Sequence, residues 1–180
     1  ARVREELDYR REAQATLDAY GVKDGPAGSF ARQCVIARRL SEAGVRFVEI
    51  CQPGWDHHNN LHKGLLDRCG SIDKPVAALL RDLRQRGLLD DTLVVVVGDH
   101  GEGLMQHGWM NHGMMIYDEA IHVPLVVRGP GVAAGSTVDA LTEHVDVLPT
   151  ICDLLDVPAA AAHYRDLADK ARWAWQCEYI

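Results

Sequence analysis

Four consecutive valines, Val94 to Val97, constrain what this chain can fold into more than any other feature. β-Branched side chains lose rotamer freedom in a helix and pack well on a pleated sheet, so the run reads as a strand. No polar residue interrupts it, and such near-continuous apolar strands belong to parallel sheets covered by helices on both faces. A second candidate strand is "VRFVEIC", residues 45–51, where apolar and polar residues alternate. Between the two, Ile72, Val76, Leu79, Leu80 and Leu83 recur at helical spacing and predict a helix over 71–86 that stops at Gly87. Strand, helix, strand predicts a βαβ unit with a right-handed crossover, which sets the carboxyl ends of both strands on one sheet edge.

The flanking segments extend the pattern. Residues 2–20 predict a helix ending at Gly21, followed by the loop "GVKDGPAGS". Ser29 is the expected N-cap of a helix "FARQCVIARRLSEA" that ends at Gly44. Further on, "HVPLVVRGPGV" reads as a third strand, "VDVLPTICDLLDV" as a helix, and the tail as helical. The expected fold class is α/β, a parallel-rich sheet flanked by helices. The expected segments are 1–28 (helix and linker), 29–158 (the α/β domain) and 159–180 (helical tail).

Composition removes several function classes. The 180 residues are 47% hydrophobic and 25% charged, enough to bury a core. A net charge of −7, with no stripe of Lys or Arg among aromatics, argues against nucleic-acid binding. No run of eighteen apolar residues is present to span a membrane, and "ARVREELDYRREAQ" is a charged helical pattern, not a signal peptide. Five widely spaced cysteines without a C-x-x-C pair suggest neither a disulfide framework nor a zinc knuckle.

The loops after the first two strands carry the chemistry. "GWDHHNNLH" and "GDHGEGLMQHGWMNH" hold six of the nine histidines. In open α/β sheets function sits at the carboxyl edge of the strands. Asp99 and His100 leave the valine strand directly, and a strand end fixes such side chains well enough to hold a metal. Asp56 and His58 are the metal candidates of the earlier loop, with Trp55 as a wall, while His57 and His62 read as supporting or solvent-facing. Asn60 is a candidate anion ligand. His112 folds back over the same site beyond a Gly/Met segment, and His107 is a second candidate there. The methionines read as apolar lining or core. Carboxylate with imidazole suits zinc, manganese or iron, and carboxylate with amide-like oxygen suits calcium. Two ions would clamp the oxygens of a phosphate or sulfate ester. With one ion, the remaining histidines would bind the anion and protonate the leaving group.

The stretch "DDTLVVVVGDHGEGLMQHGWMNHGMMIYDEAIHVPLVVRGPG", with "EHVDVLPTICDLLDVP" after it, resembles the sulfatase family of the alkaline phosphatase superfamily over residues 73–158. The first half, with its Gly-Trp-Asp-x-His element, resembles a sulfatase-related bacterial family, domain of unknown function 1501. The resemblance implies an alkaline-phosphatase-like fold, present as an incomplete domain, and an exported or periplasmic protein. It implies Asp99 and His100 as ligands of the main metal, and Asp56 and His58 as the pair on a second. It places His112 at an anion-binding or metal-binding position and His107 beside the substrate. His58, His107 and His112 are then the catalytic candidates, with His112, His107 and Asn60 contacting substrate. Asp118 and Glu119 match an element read as structural. The implied cofactor is a divalent ion, Ca²⁺ or Mn²⁺/Zn²⁺, and the implied partner is a small sulfated or phosphorylated ester.

One departure matters. The family's nucleophile is a formylglycine made from Cys or Ser in a Cys/Ser-x-Pro-x-Arg motif, after an Asp-Asp metal pair. Neither is in these 180 residues; "CQPGW" lacks the arginine, so Cys51 is not assigned as nucleophile. Three readings follow: a metal-dependent hydrolase of sulfate or phosphate esters, a catalytically silent metal- or anion-binding module, and a metal-dependent phosphoryl transferase or mutase.

Overall fold

Three helices pack together because each brings an apolar stripe to one place: α1 (Gln14–Tyr20), α2 (Phe30–Glu42) and α3 (Leu61–Gln85). Tyr20, Cys34, Val35 and Ala78 form the buried centre, ringed by Leu17, Val22, Phe30, Ile50 and Leu79. The computed structural model describes residues 5–23, 29–57, 59–113 and 115–178, with side chains through Ala171. His58, Met114, residue 1, residues 2–4 of the first expected helix and residues 24–28 of the expected linker lie outside the described residues.

The expected helix over 2–20 is broken by a 3₁₀ turn at Tyr9–Arg11. Gly21, at φ +73°, closes α1 in the left-handed conformation that glycine adopts cheaply. Helix α2 begins after Ser29 as expected, but the serine makes no side-chain capping bond. Helix α3 starts ten residues before the apolar periodicity does and runs through Pro75. Its first turns carry glycine and charge where the pattern would need apolar residues, which is why they read as loop.

The polar side of the bundle is organised by buried arginines. Arg38 is only 1% exposed. Its Nη1 donates to Glu42 at 2.6 Å, while Nη2 and Nε face Glu12 and Asp82 at 2.7 and 3.0 Å, off the hydrogen-bonding direction. Arg39 pairs with Glu12 and with Glu6, Arg86 joins Asp82 and Glu42, and the Tyr20 hydroxyl donates to Asp82. Burial alone would raise the Glu12 pKa, but the guanidinium groups of Arg38 and Arg39 beside it outweigh that and hold the carboxyl below its ordinary range.

The sheet overturns the expected fold class. The described residues are mostly helical and hold one two-stranded antiparallel ribbon, β1 (Val94–Val97) and β2 (Leu125–Arg128), in the register Val94↔Arg128 to Val97↔Leu125. There is no parallel pair among them and no βαβ crossover. Residues 45–51 join no ladder: Ile50 packs onto the helical core while Phe47 faces solvent. Alternation marks a segment able to pair but does not choose its partner, and here the chain after β1 turns back and supplies one. The four valines are consequently not buried on both faces. Val95, Val127 and Leu125 face Val147, Ile151 and Leu154 of α5 (His144–Leu154), whereas Val96 and Val126 are exposed on the other side. A short α4 (Asp118–Ile121) lies between the strands, and α6 (Pro158–Glu178) packs on α5. No helix among the described residues is long and apolar enough to cross a membrane.

Arg38→Ala is expected to cost about 1–3 kcal/mol, because it removes the buried central cation while Arg39 and Arg86 still pair with the carboxylates around it; urea denaturation at constant m-value reads this directly. A carboxyl whose folded pKa is depressed stabilises above its unfolded pKa and loses that contribution as pH falls through the folded one. Stability should therefore decline below about pH 4.3, and Glu12→Gln should flatten that decline.

Candidate metal centre

The chain stays tied down after β1 ends. Gly98 N–H donates to Pro124 O at 3.1 Å, Gly101 N–H to Ala120 O at 2.8 Å, and Glu102 N–H to Glu119 O at 3.0 Å. A Cβ on Gly101 would sit 2.0 Å from the Glu119 carbonyl oxygen, so only glycine lets the two backbones approach this closely. His100 is held between these bonds. Its Nδ1–H donates to Gly101 O at 2.9 Å, its own N–H is capped by Asp99 Oδ1 at 3.0 Å, and its Nε2 faces Asp56 Oδ1 at 3.9 Å. The His112 ring stacks on His100 at 3.9 Å, and its Nδ1 lies 3.3 Å from Glu102 Oε2.

Asp56 arrives from the helical bundle. Its loop lies along α3: Gly54, at φ +88°, sits against the Arg68 guanidinium, and the His57 ring sits against Gly64. The two contacts are one helical turn apart, so α3 sets the path of the loop. The His57 Nε2 is buried without a hydrogen-bond partner among the described residues.

Asp56, His100 and His112 thus each offer one ligand atom, all within 4.8 Å of one another. One carboxylate and two imidazoles fit a divalent ion of the zinc or manganese kind better than calcium, which prefers oxygen throughout. Glu102 and the Gly101 carbonyl stand where partners that orient metal-binding imidazoles belong. The Gly101 hydrogen bond, more than the opposing burial, raises the His100 pKa, and the charges of Asp99, Asp56 and Glu102 add to it.

The remaining candidates are distributed differently. The Asp99 carboxylate is 91% exposed and 3.8 Å from His100 Nε2, outside the cluster. His107 is held elsewhere: its Nδ1 is 2.7 Å from Glu119 Oε1 and its ring stacks on Tyr117 at 3.9 Å. Leu104 and Met105, both at positive φ, make the turn that takes the chain there; non-glycine residues held in this region cost of order 1–3 kcal/mol each. Asn60, at φ +54°, is the exposed residue before α3, and His62 is exposed in its first turn. Met105, Met110 and Met115 are exposed and are not core. Two contributors have no sequence signal of their own. Glu102 reads as part of a glycine turn, and His144, whose Nε2–H donates to Gly98 O at 2.7 Å, lies 46 residues away.

The family described as "Protein of unknown function (DUF1501)" matches residues 1–113, and the chain is a member of it. Sulfatases are also among its relatives. Arylsulfatase K of Bos taurus is 37% identical over 90 residues, which cover 50% of this chain and 16% of that protein. Arylsulfatase K of Homo sapiens is 36% identical over 90 residues, covering 50% and 17%. The extracellular sulfatase SULF-1 homolog of Drosophila melanogaster is 32% identical over 115 residues, covering 63% and 10%. The chain therefore spans about a sixth of the length of the curated relatives first matched. No solved structure matches it.

Gly101→Ala should lower stability by on the order of 1–3 kcal/mol through overpacking, read from thermal unfolding. Gly70→Ala, inside α3 with nothing near its Cβ position, should be neutral or stabilising by up to about 1 kcal/mol.

Proposed function

We propose that this chain forms the metal-holding part of a sulfatase-like hydrolase acting on small sulfate esters, with phosphate esters as the alternative substrate. The observation that carries the reading is the convergence of Asp56, His100 and His112 from the bundle and from both ends of the glycine-rich loop. Sulfatase relatives over half the chain support it. A divalent ion held by these three side chains would supply Lewis-acid stabilisation of charge on the ester oxygens. The protein's own part is to hold the ligands still: Glu102 and the Gly101 carbonyl fix the two imidazoles, and α3 fixes the aspartate. Asp99 stands beside the cluster as a further ligand in this reading, and His107 is the proton donor to the leaving oxygen. Asn60 and His112 face the ester anion, and His58 is kept as a second-metal candidate.

A specific observation favours a second reading, a metal- or anion-binding module without turnover. The Cys51 thiol donates to Glu49 at 3.4 Å, and this bond to a carboxylate pushes its pKa up, the reverse of nucleophile activation. No residue of the 180 is assigned as nucleophile.

Titration with Zn²⁺, Mn²⁺ and Ca²⁺, together with hydrolysis of nitrophenyl sulfate and nitrophenyl phosphate, tests both. Binding of one ion is expected, and Asp56→Ala, His100→Ala and His112→Ala should each weaken it more than Asp99→Ala does. Glu102→Gln should cost about 10–100-fold in metal affinity. Because the His100 pKa is raised and the metal takes the neutral ring, affinity should strengthen as pH rises through the histidine range. No binding in the unsubstituted protein overturns the proposal; binding without hydrolysis of either ester selects the silent module.

A further inference from the structure

A second histidine–carboxylate pair lies on the same frame as the cluster and takes no part in it. Glu119 has a side chain only 8% exposed, yet its Oε1 accepts from Nδ1–H of His107 at 2.7 Å, and that imidazole is 48% exposed. Tyr117 stacks on the ring at 3.9 Å with an interplanar angle of 13°. Both degrees of freedom of the imidazole are therefore set: the stack fixes the ring plane and the carboxylate fixes the tautomer. Among the described residues no hydrogen bond or ion pair involves His107 Nε2.

We propose that Glu119, assisted by Tyr117, is a positioning residue that aims the Nε2 of His107 at the substrate and makes the pair the proton-transfer device of the site. The inference rests on the sulfatase-like reading. One link to the cluster runs through Glu102: its N–H donates to the Glu119 carbonyl at 3.0 Å, and its carboxylate holds His112 at 3.3 Å.

Energetics argue against a purely structural role. A salt bridge to a half-exposed imidazole is screened by solvent and adds only modestly to stability. What it secures is orientation, as the buried aspartate does in hydrolytic triads. Hydrogen bonding from His107 also keeps the Glu119 pKa below its ordinary range, so the acceptor stays ionised. During hydrolysis of a sulfate ester, the bridging oxygen takes the electron pair of the breaking S–O bond and the proton from Nε2 of the imidazolium. Water supplies the oxygen that sulfur gains and releases a proton to solvent. The ring is left neutral with Nδ1–H still on Glu119, and solvent returns the proton to Nε2.

The test pairs imidazole ¹⁵N spectra of the intact protein at alkaline pH with steady-state hydrolysis of nitrophenyl sulfate. His107 should be the Nδ1–H tautomer in the unsubstituted protein and should revert to Nε2–H in Glu119→Ala. The kcat of Glu119→Ala should drop at least about tenfold with KM little changed. Glu119→Gln keeps an acceptor and the side-chain shape; it should retain the tautomer and fall between the two in kcat. An unchanged tautomer in Glu119→Ala overturns the pairing, and a changed tautomer with unchanged kcat overturns the positioning role. If the metal-bound unsubstituted protein hydrolyses no sulfate ester, the sulfatase-like reading fails and the catalytic role of the pair fails with it. The tautomer result then still tells whether Glu119 holds His107, which separates the two failures.

Discussion

Arg38 is the interaction on which the rest of the described structure leans. One guanidinium, almost wholly removed from water, faces Glu12 before α1, Glu42 at the end of α2 and Asp82 near the end of α3. Desolvating the guanidinium with Glu12 and Asp82 is expensive, and an apolar replacement of the set could be as stable. The network's contribution is register. Three carboxylates from three segments converge on one cation in only one relative placement of the helices, whereas Val35 and Ala78 could slide past each other with modest loss. Tyr20 and Arg86 lock Asp82 from either side and narrow that placement further.

That register reaches the candidate site through α3. The loop carrying Asp56 is laid down on Gly64 and Arg68, so the aspartate is positioned by a helix that the arginine network holds at its far end. The histidines are positioned by a different device, the close backbone approach at Gly101 and the bond from Glu102 to Glu119. A ribbon of two strands is too weak an element to hold ligands still by itself. Cross-bonds beyond its end take over that task, and α5 supports one of its faces.

Reading the sequence recovered the parts of this that depend on local chemistry. The valine strand, the second helix, the α5 segment and the two histidine-rich loops are all marked by residues within a few positions of one another. What failed was pairing. "VRFVEIC" alternates like a strand, but strand pairing is non-local, and Ile50 gains more against the helical core than the segment gains in a sheet. The two loops still meet, at Asp56 and His100, although not through the parallel edge that suggested it. Arg38 and Arg39 were equally hidden, because an Arg-Arg pair in an amphipathic helix reads as a solvated face unless its three distant acids are known. Glu119 was legible as a motif position but not as a partner of His107, since twelve residues and two left-handed turns separate them.

The arrangement also explains why fold and site should be coupled in this chain. The described elements pack in three groups: α1 with α2 and α3, β1 with β2, and α5 with α6. The candidate cluster draws Asp56 from the loop laid on the first group, and His100 and His112 from the loop beyond the second. An ion bound there would bridge the groups at a point where an imidazole approaches a carboxylate to 3.9 Å. Binding to the folded state alone stabilises it by mass action, and at this position that stabilisation falls on the relative placement of bundle and ribbon. Protons compete for the same joint, because the raised His100 pKa favours the cationic ring that a metal would have to displace. The protonated imidazole and the metal are thus alternative ways of satisfying one carboxylate, and only the second also draws on His112.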